Sequence, residues 1–469
     1  MSRINTNIPA MVAIERLRRN QGDLVIRLER LSTGLRINRG ADDPAGLIAS
    51  ETLRKEIRGI RQAVNNSVRA INVIATAEGA LGELSRLMLD LRSLITSTAN
   101  TGAISDEETQ ANQQEIDSIL ASIDRIANTT VFAGKKLLSG ELGYTVSSVA
   151  TSALASVEMF AARFTTGGTR DVRVEVTQSA ETAALFLTGS ATAAATIELR
   201  GAVGSEILSF ASGTSVATIV AAVNSRTEMT GVSATVSSTG LELNSTGFGS
   251  DALVSIKALA GNFIVPSAGV ETRDVGVDAG VLVNGRVAHV RGLVVDARGA
   301  GLDARFILTT AFGQTIGSTT FTVTGGGSVY QITPEISLNG QVHVGVPSVS
   351  TGNLGNSVVG FLHTIGSGGV NAVSDGNFIA AENILTASIE QISTLRGRLG
   401  SIQKNQLETN INSQQIALEN VSASESIIRD ADMAVEVAAL TRAQILVQST
   451  QAILQIATSL PQSVLSLLQ

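Results

Sequence analysis

Three histidines offer the first places where this 469-residue chain could do chemistry: His289, His343 and His363. Imidazole is the usual general base and metal ligand near neutral pH. These three form neither an H-x-x-H nor an H-E-x-x-H pattern, and no acidic cluster accompanies them. They read as ordinary surface or core residues. The chain has no Cys, which removes disulfides, thiolate metal sites and Cys nucleophiles together. No G-x-S-x-G elbow appears. Gly325-Gly-Gly327 lacks the Lys and the following helix of a phosphate cradle and reads as a flexible turn. Asp42 and Asp43 could be drawn as paired carboxylates, but Pro44 fits a first helical position and makes Asp43 its N-cap. Arg16, Arg18, Arg19, Arg27 and Arg30 could face phosphates. Glu15, Asp23 and Glu29 interleave with them and the net charge is −7, so a solvated or intersubunit helix face is the better reading. No catalytic, cofactor or metal residue is expected, and no nucleic-acid partner.

The informative residues are therefore the ones that build elements. Hydrophobic residues make up 43% of the chain, enough for real cores. All 14 aromatic residues lie between Phe132 and Phe378, and 33 of the 45 glycines fall within 141–379. The two ends lack the bulky rings that fill an enzyme core, and they carry aliphatic seams instead. Ile14, Leu17, Gln21, Leu24, Leu28, Leu31 and Leu35 step by three and four. A break at 34–43 precedes a helix from Pro44 to about Asn100, roughly 80 Å long at 1.5 Å per residue. Its stripe runs Ile57, Ile60, Val64, Ser67, Ile71, Ile74, Glu78 and Leu81, then Leu84, Leu87, Leu91 and Leu94. Ser105-Asp-Glu-Glu108 announces a third helix with a capping box. At the other end Leu385, Ile389, Ile392, Leu395, Leu399 and Ile402 form one seam. Met433, Leu440, Val447 and Leu454 fall at sevens with Ala443, Thr450 and Ala457 between them, and the last helix is expected to stop at Leu460-Pro461.

The middle has a β character. Val172–Val176, Ile197–Leu199, Leu241–Leu243 and Phe306–Leu308 are short alternating runs between Gly, Ser and Thr turns. One helix is expected at 216–224, capped by Ser215. The fold class is thus α+β: a long coiled-coil helical bundle made from both chain ends, with an inserted β-rich outer region. Neither end has enough chain beside it to cover its stripe, so burial must come from other copies. A heterologous contact repeated by rotation and translation makes an open helical filament. No stretch approaches the 18 apolar residues of a membrane span, and the first residues lack a secretory h-region. An enzyme displayed on such a filament would need a constellation the middle does not have. A membrane-surface helix would need a broader apolar face than these seams offer.

At both ends the residues resemble bacterial flagellin. The matching blocks are Ile4–Asn7, Leu28–Asn38 with Ala41–Gly46, Asn72–Leu81, Ile427–Met433, Leu440–Leu446 and the ending Leu460–Leu468. Within the middle, Phe210–Ser215, Ile219–Asn224 and Thr230–Ala234 resemble the flagellin hook IN motif, in a block spanning 197–257. The resemblance implies a filament subunit of the extracellular bacterial flagellum. It implies an inner terminal coiled coil from 1–44 and 426–469, a helical rod from 45–150 and 376–425, and a variable outer region over 151–375. The assembly seams would be Ile14, Leu17, Leu24, Leu28, Leu31 and Leu35 with Met433, Leu440, Val447, Leu454, Leu460, Val464 and Leu467. It implies self-association into a helical homopolymer and export unfolded through the flagellar type III apparatus. An export chaperone, hook-associated junction proteins and a filament cap would be partners. A hook–filament junction protein of the same superfamily is the alternative, though such proteins usually lack the 460–468 ending. In members sensed by the vertebrate Toll-like flagellin receptor, the long rod helix carries an Arg and a Leu one turn apart. Here Leu94 is in register, Asp90 stands at the Arg position, and Glu115 matches a nearby Glu, so weak receptor activation is expected. The outer region, between about 165 and 370, is expected to be dispensable for polymerisation.

Overall fold

The computed structural model describes residues 6–164, 168–188, 194–237, 240–261, 272–299 and 301–466. Nine helices are described: α1 Ile8–Thr33, α2 Pro44–Thr98, α3 Asp106–Thr129, α4 Val216–Asn224, α5 Thr227–Thr230, α6 Thr310–Gly313, α7 Phe378–Ile402, α8 Thr409–Arg429 and α9 Met433–Ser466. The chain divides into two compact units. The terminal unit comprises Met1–Arg69, Gln331–Gly340 and Gln406–Gln469; the other comprises Ala70–Tyr330 and Gln341–Asn405.

In the terminal unit, α1 is capped by Asn7, whose side chain accepts from the Ala10 N–H, and is stopped by Gly34 in the left-handed conformation. The Asp43 carboxylate accepts from the Gly46 N–H at 2.9 Å, the N-cap expected before Pro44. The two breaks in the helices meet. Arg36 N–H donates to the Arg429 carbonyl and Ala431 N–H to the Gly34 carbonyl.

In the second unit the rest of α2 buries Ala70, Ile74, Ala77, Leu81, Leu84, Met88, Leu91 and Ile95, alternating four and three residues. The buried line is thus turned from the expected one. Leu87 and Leu94 are half-buried beside it, because the helix carries two adjacent aliphatic lines and only one faces inward. The capping box of α3 forms: Glu108 N–H donates to Ser105 Oγ, and Ser105 N–H donates to the Glu108 carboxylate at 2.8 Å. Polar residues of α3 then fasten the chain returning over 351–374. Asp124 accepts from Thr351, Asp117 from Ser367, and Gln113 from the Ser374 N–H. Between α7 and α8 the buried rhythm steps by five, from half-buried Ile402 to fully buried Leu407. The six-residue π-helix Gln403–Glu408 absorbs the extra residue.

The β-rich part has two cores. The strands Thr182–Thr188, Gly240–Phe248 and Val232–Ser237 form one sheet, and Arg273–Val275, Leu253–Ala260, Ala195–Gly201 and Ser205–Phe210 another. With α4, capped by Ser215 as expected, they enclose Leu185, Ile197, Leu199, Ile219, Leu241 and Val254. A second pair of sheets, centred on Arg170–Gln178 and Leu302–Leu308, buries Val172, Val174, Val295, Phe306 and Phe321, the two rings edge to face at 5.6 Å. The strand expectations for 172–176, 197–199, 241–243 and 306–308 all fall in these sheets.

One side chain fastens α7 to the second sheet pair. The Arg398 side chain is 7% exposed, stacks on the Phe160 ring at 3.7 Å, donates to Asp296 at 3.0 Å and bonds Asp303. Arg305 donates to the same Asp296 at 3.1 Å and to Glu390 at 3.2 Å. Burial opposes ionisation of Asp296, but Arg305 and Arg398 outweigh it and hold its carboxyl below the usual carboxylate range. Removing Arg398 takes the buried guanidinium from Asp303 and one of two from Asp296, and it strips the Phe160 ring of its cation, so Arg398→Ala should cost roughly 3 kcal/mol. Arg86→Ala, which removes only exposed helix ion pairs, should cost far less. Urea unfolding of the two variants, followed by circular dichroism, measures the difference.

Candidate functional site

The geometry most able to act is the meeting of the two chain ends, since no group of His, Asp or Glu among the described residues is arranged to hold a metal ion. The helices α1 and α9 run antiparallel: Asn7 meets Ala457, Asn20 meets Leu446 and Thr450, and Arg27 meets Glu436. On α9 the contact line is Glu436, Leu440, Ala443, Val447, Thr450, Leu454 and Ala457. On α1 it is Ala10, Ala13, Leu17, Asn20, Leu24, Arg27 and Leu31. Only Ala10 and Ala13 of α1 are fully buried. The small residues Ala10, Ala13, Ala443 and Ala457 are the buried apolar positions and let the backbones approach, while Leu17, Leu24 and Leu31 are half-buried along the same line.

Three polar contacts fix the register. The first is charged. Arg27 donates to both oxygens of Glu436 at 3.0 and 3.1 Å, and Arg30 to one at 3.1 Å. Glu436 is 6% exposed. Burial pushes its carboxyl up, but the bonds from Arg27 and Arg30 and their charge prevail and hold it below the usual carboxylate range. The second is Asn20, whose Nδ2 donates at 3.3 Å to Thr450 Oγ1 and to the Leu446 carbonyl. The third is Asn7, whose Nδ2 donates to the Ala457 carbonyl at 2.7 Å. That carbonyl is the one Pro461 cannot serve, because proline has no N–H to return four residues back. This supplies a reason why α9 does not stop at Leu460-Pro461 but continues to Ser466. Asn7 caps the start of α1 with its oxygen and the orphaned carbonyl of α9 with its nitrogen. Sequence reasoning missed Asn7, Asn20 and Glu436. For Asn20 and Glu436 the signal was present, a polar residue on an otherwise apolar seven-residue repeat; Asn7 precedes the helix and lies off that repeat.

The expected seam residues divide between two faces. Leu17, Leu24, Leu31, Leu440, Val447 and Leu454 are half-buried on the contact line. Ile14, Leu28 and Met433 point away and are exposed. Leu35 lies past the end of α1, where it pairs with Asp430. Leu467 lies outside the described residues, as do the side chains of Leu460 and Val464. Beyond the contact line the pair leaves much apolar surface uncovered: Ile8, Met11, Val12, Val25 and Ile26 on α1, and Val435, Val437, Ile445, Ile453 and Ile456 on α9. The helix α8 has no fully buried residue. Among the described residues no helix is long and apolar enough to cross a membrane. On α2, Asp90 is exposed and takes an ion pair from Arg86 at 2.9 Å, and Arg86 also holds Glu83. Leu94 is half-buried and Glu115 exposed.

Comparison with known proteins finds matches at both ends of the chain and in its middle. The bacterial flagellin N-terminal helical region matches residues 4–142, the bacterial flagellin C-terminal helical region 383–468, and the flagellin hook IN motif 196–247. The B-type flagellin of Pseudomonas aeruginosa is 29% identical over 99% of both chains, and flagellin A of Vibrio cholerae likewise. The flagellin of Bacillus subtilis is 46% identical over 140 residues, 29% of this chain and 46% of the relative. Among solved structures, the flagellar hook associated protein-3 of Legionella pneumophila aligns with 80% of this chain and 97% of its own at 15% identity and a TM-score of 0.30. FliC of Burkholderia pseudomallei aligns with 71% and 98% at 14% identity and a TM-score of 0.23. These superpositions are too loose to carry an argument.

The α1–α9 contact should titrate with Glu436. Its stabilisation is complete above the unfolded carboxylate range near ~4.3 and disappears as the pH falls through the lowered folded value. Glu436→Gln should speed amide exchange in α1 and α9 by at least ~tenfold at pH 7, leave α3 unchanged, and flatten the acid response. Asn7→Ala should fray α9 beyond Ala457 without loosening the contact at Glu436, read by the same exchange experiment.

Proposed function

Because the chain belongs to the bacterial flagellin family, and is a structural protein rather than an enzyme, we propose that it polymerises through its terminal helices as a coiled coil within and between subunits. The observation that carries this reading is the apolar surface left open on α1, α8 and α9. A pair of helices exposing Ile8, Met11, Val12, Val25 and Ile26 on one side and Val435, Ile445, Ile453 and Ile456 on the other is not a stable surface in water. Copies of the same helices cover it at no cost in new sequence, and repetition of one heterologous contact extends without limit. The filament so formed is the extracellular flagellum, built for swimming. The chain reaches it unfolded through the flagellar type III apparatus, with an export chaperone, hook-associated junction proteins and the cap as successive partners. Absence of Cys and scarcity of Pro suit a chain that must thread a narrow path and refold at its end. The 1–44 and 426–469 segments form the inner tube, 45–150 and 376–425 the rod, and 151–375 the displayed region. The junction-protein alternative is disfavoured by the full-length match to flagellins.

The receptor site follows from α2. A receptor that anchors on an Arg meets Asp90, already neutralised by Arg86, one turn before Leu94. Anchoring guanidinium groups often dominate interfaces, so their replacement by a carboxylate weakens binding. Glu115 alone does not replace that anchor.

Purified protein, cooled after brief heating, should form smooth filaments in negative stain, and persistent monomer would sink the reading. Deleting Leu460–Gln469 should abolish filaments. Deleting 182–275, the block of two sheets around α4, should leave them. Nanomolar wild-type protein should give weak signalling in a receptor reporter assay.

A further inference from the structure

Ten residues from the β-rich middle of the sequence belong to the terminal unit. Gln331–Gly340 forms an arm on α2 and α8, more than 260 residues from the α2 positions it meets. Gly59 makes room for it: a Cβ there would stand 3.0 Å from Pro334 Cβ. Asn66 Nδ2 donates to the Gln331 carbonyl at 3.2 Å, and Asn410 Nδ2 to the Ile332 carbonyl at 2.7 Å. The arm is also tied to itself. Gln331 Nε2 donates to the carbonyls of Thr333 and Glu335, and Ile332 N–H donates to the Gly340 carbonyl. A rigid turn held this way has already lost the freedom that binding would otherwise cost. What it presents outward is Glu335, Ile336 and Leu338, with Ile336 89% exposed.

The charges suggest where this tip goes. Glu335 has no ion-pair partner among the described residues. On α2, Lys55, one turn before Gly59, and Arg58, next to it, are exposed and likewise have none, whereas their neighbours Glu51 and Arg54 pair with each other. The exposed Ile48 stands two turns before Lys55 on the same face. One copy therefore carries both an acidic, apolar tip and a basic, apolar face that its own tip does not reach in an ion pair. We infer that the arm of one copy docks on α2 of a second copy, Glu335 against Lys55 and Arg58, and Ile336 against the apolar surface beside them. The inference rests on the polymer reading above and names a contact outside the terminal helices. It also places an assembly element inside the 165–370 region that the sequence alone marks as dispensable.

A charge exchange between two populations tests this with full-length chains. Glu335→Arg in one and the double change Lys55→Glu with Arg58→Glu in another should each lower seeded elongation, followed by light scattering, at least ~tenfold through like-charge contact. An equimolar mixture should recover elongation, because each population supplies the complement of the other. Ile336→Asp should slow elongation as well. All the substituted side chains are exposed or nearly so, and unchanged monomer melting confirms that each variant folds. Normal elongation by any variant alone, or a mixture no faster than its parts, overturns the docking. Wild-type chains that fail to elongate overturn the polymer reading itself.

Discussion

Antiparallel contact between the first and last helices is the constraint on which the rest of the terminal unit depends. It joins segments more than 400 residues apart, so everything between them must return the chain to its starting place. The contact is narrow. It uses alanines where the backbones come close, leucines where there is room, and polar pins to set the register. An all-leucine line would bury more area but would leave the helices free to slide by a heptad. The buried Glu436 with two guanidinium partners is costly to misplace, which is how it discriminates among registers.

The narrowness has a second consequence. A helix that satisfies its partner with one line of side chains has the rest of its surface to offer. On α1 and α9 that surface carries as much aliphatic character as the contact line itself. A single copy is thus incompletely covered at its ends and well covered in its β-rich part, where two sandwiches close over valines, leucines and a pair of phenylalanines. The β-rich part closes its own cores, whereas the terminal helices leave aliphatic surface open.

Polar side chains repeatedly do the joining. Asn7 serves the start of one helix and repairs the other where proline has interrupted its ladder. Gln113, Asp117 and Asp124 line one face of α3 and receive successive points of the returning chain. Arg398 spans two aspartates and a ring. Each is a long-range bond made by a residue whose immediate neighbours give no reason for it.

The sequence by itself determined the elements and their division. Periodicity of three and four located the terminal helices, the capping box at Ser105 started α3, and the restriction of aromatics to 132–378 separated helical ends from β-rich middle. These are local signals: a helix repeats its face every few residues, and a cap is made by residues three apart. Only the tertiary structure decided which of two adjacent aliphatic lines faces inward, since Ile14 and Leu28 are as apolar as the leucines that were chosen. It alone carried α9 past Pro461, inserted the π-turn that brings Leu407 inward, and laid 331–340 against α2. Each of those outcomes depends on a partner remote in the chain, and remoteness is what a local pattern cannot encode.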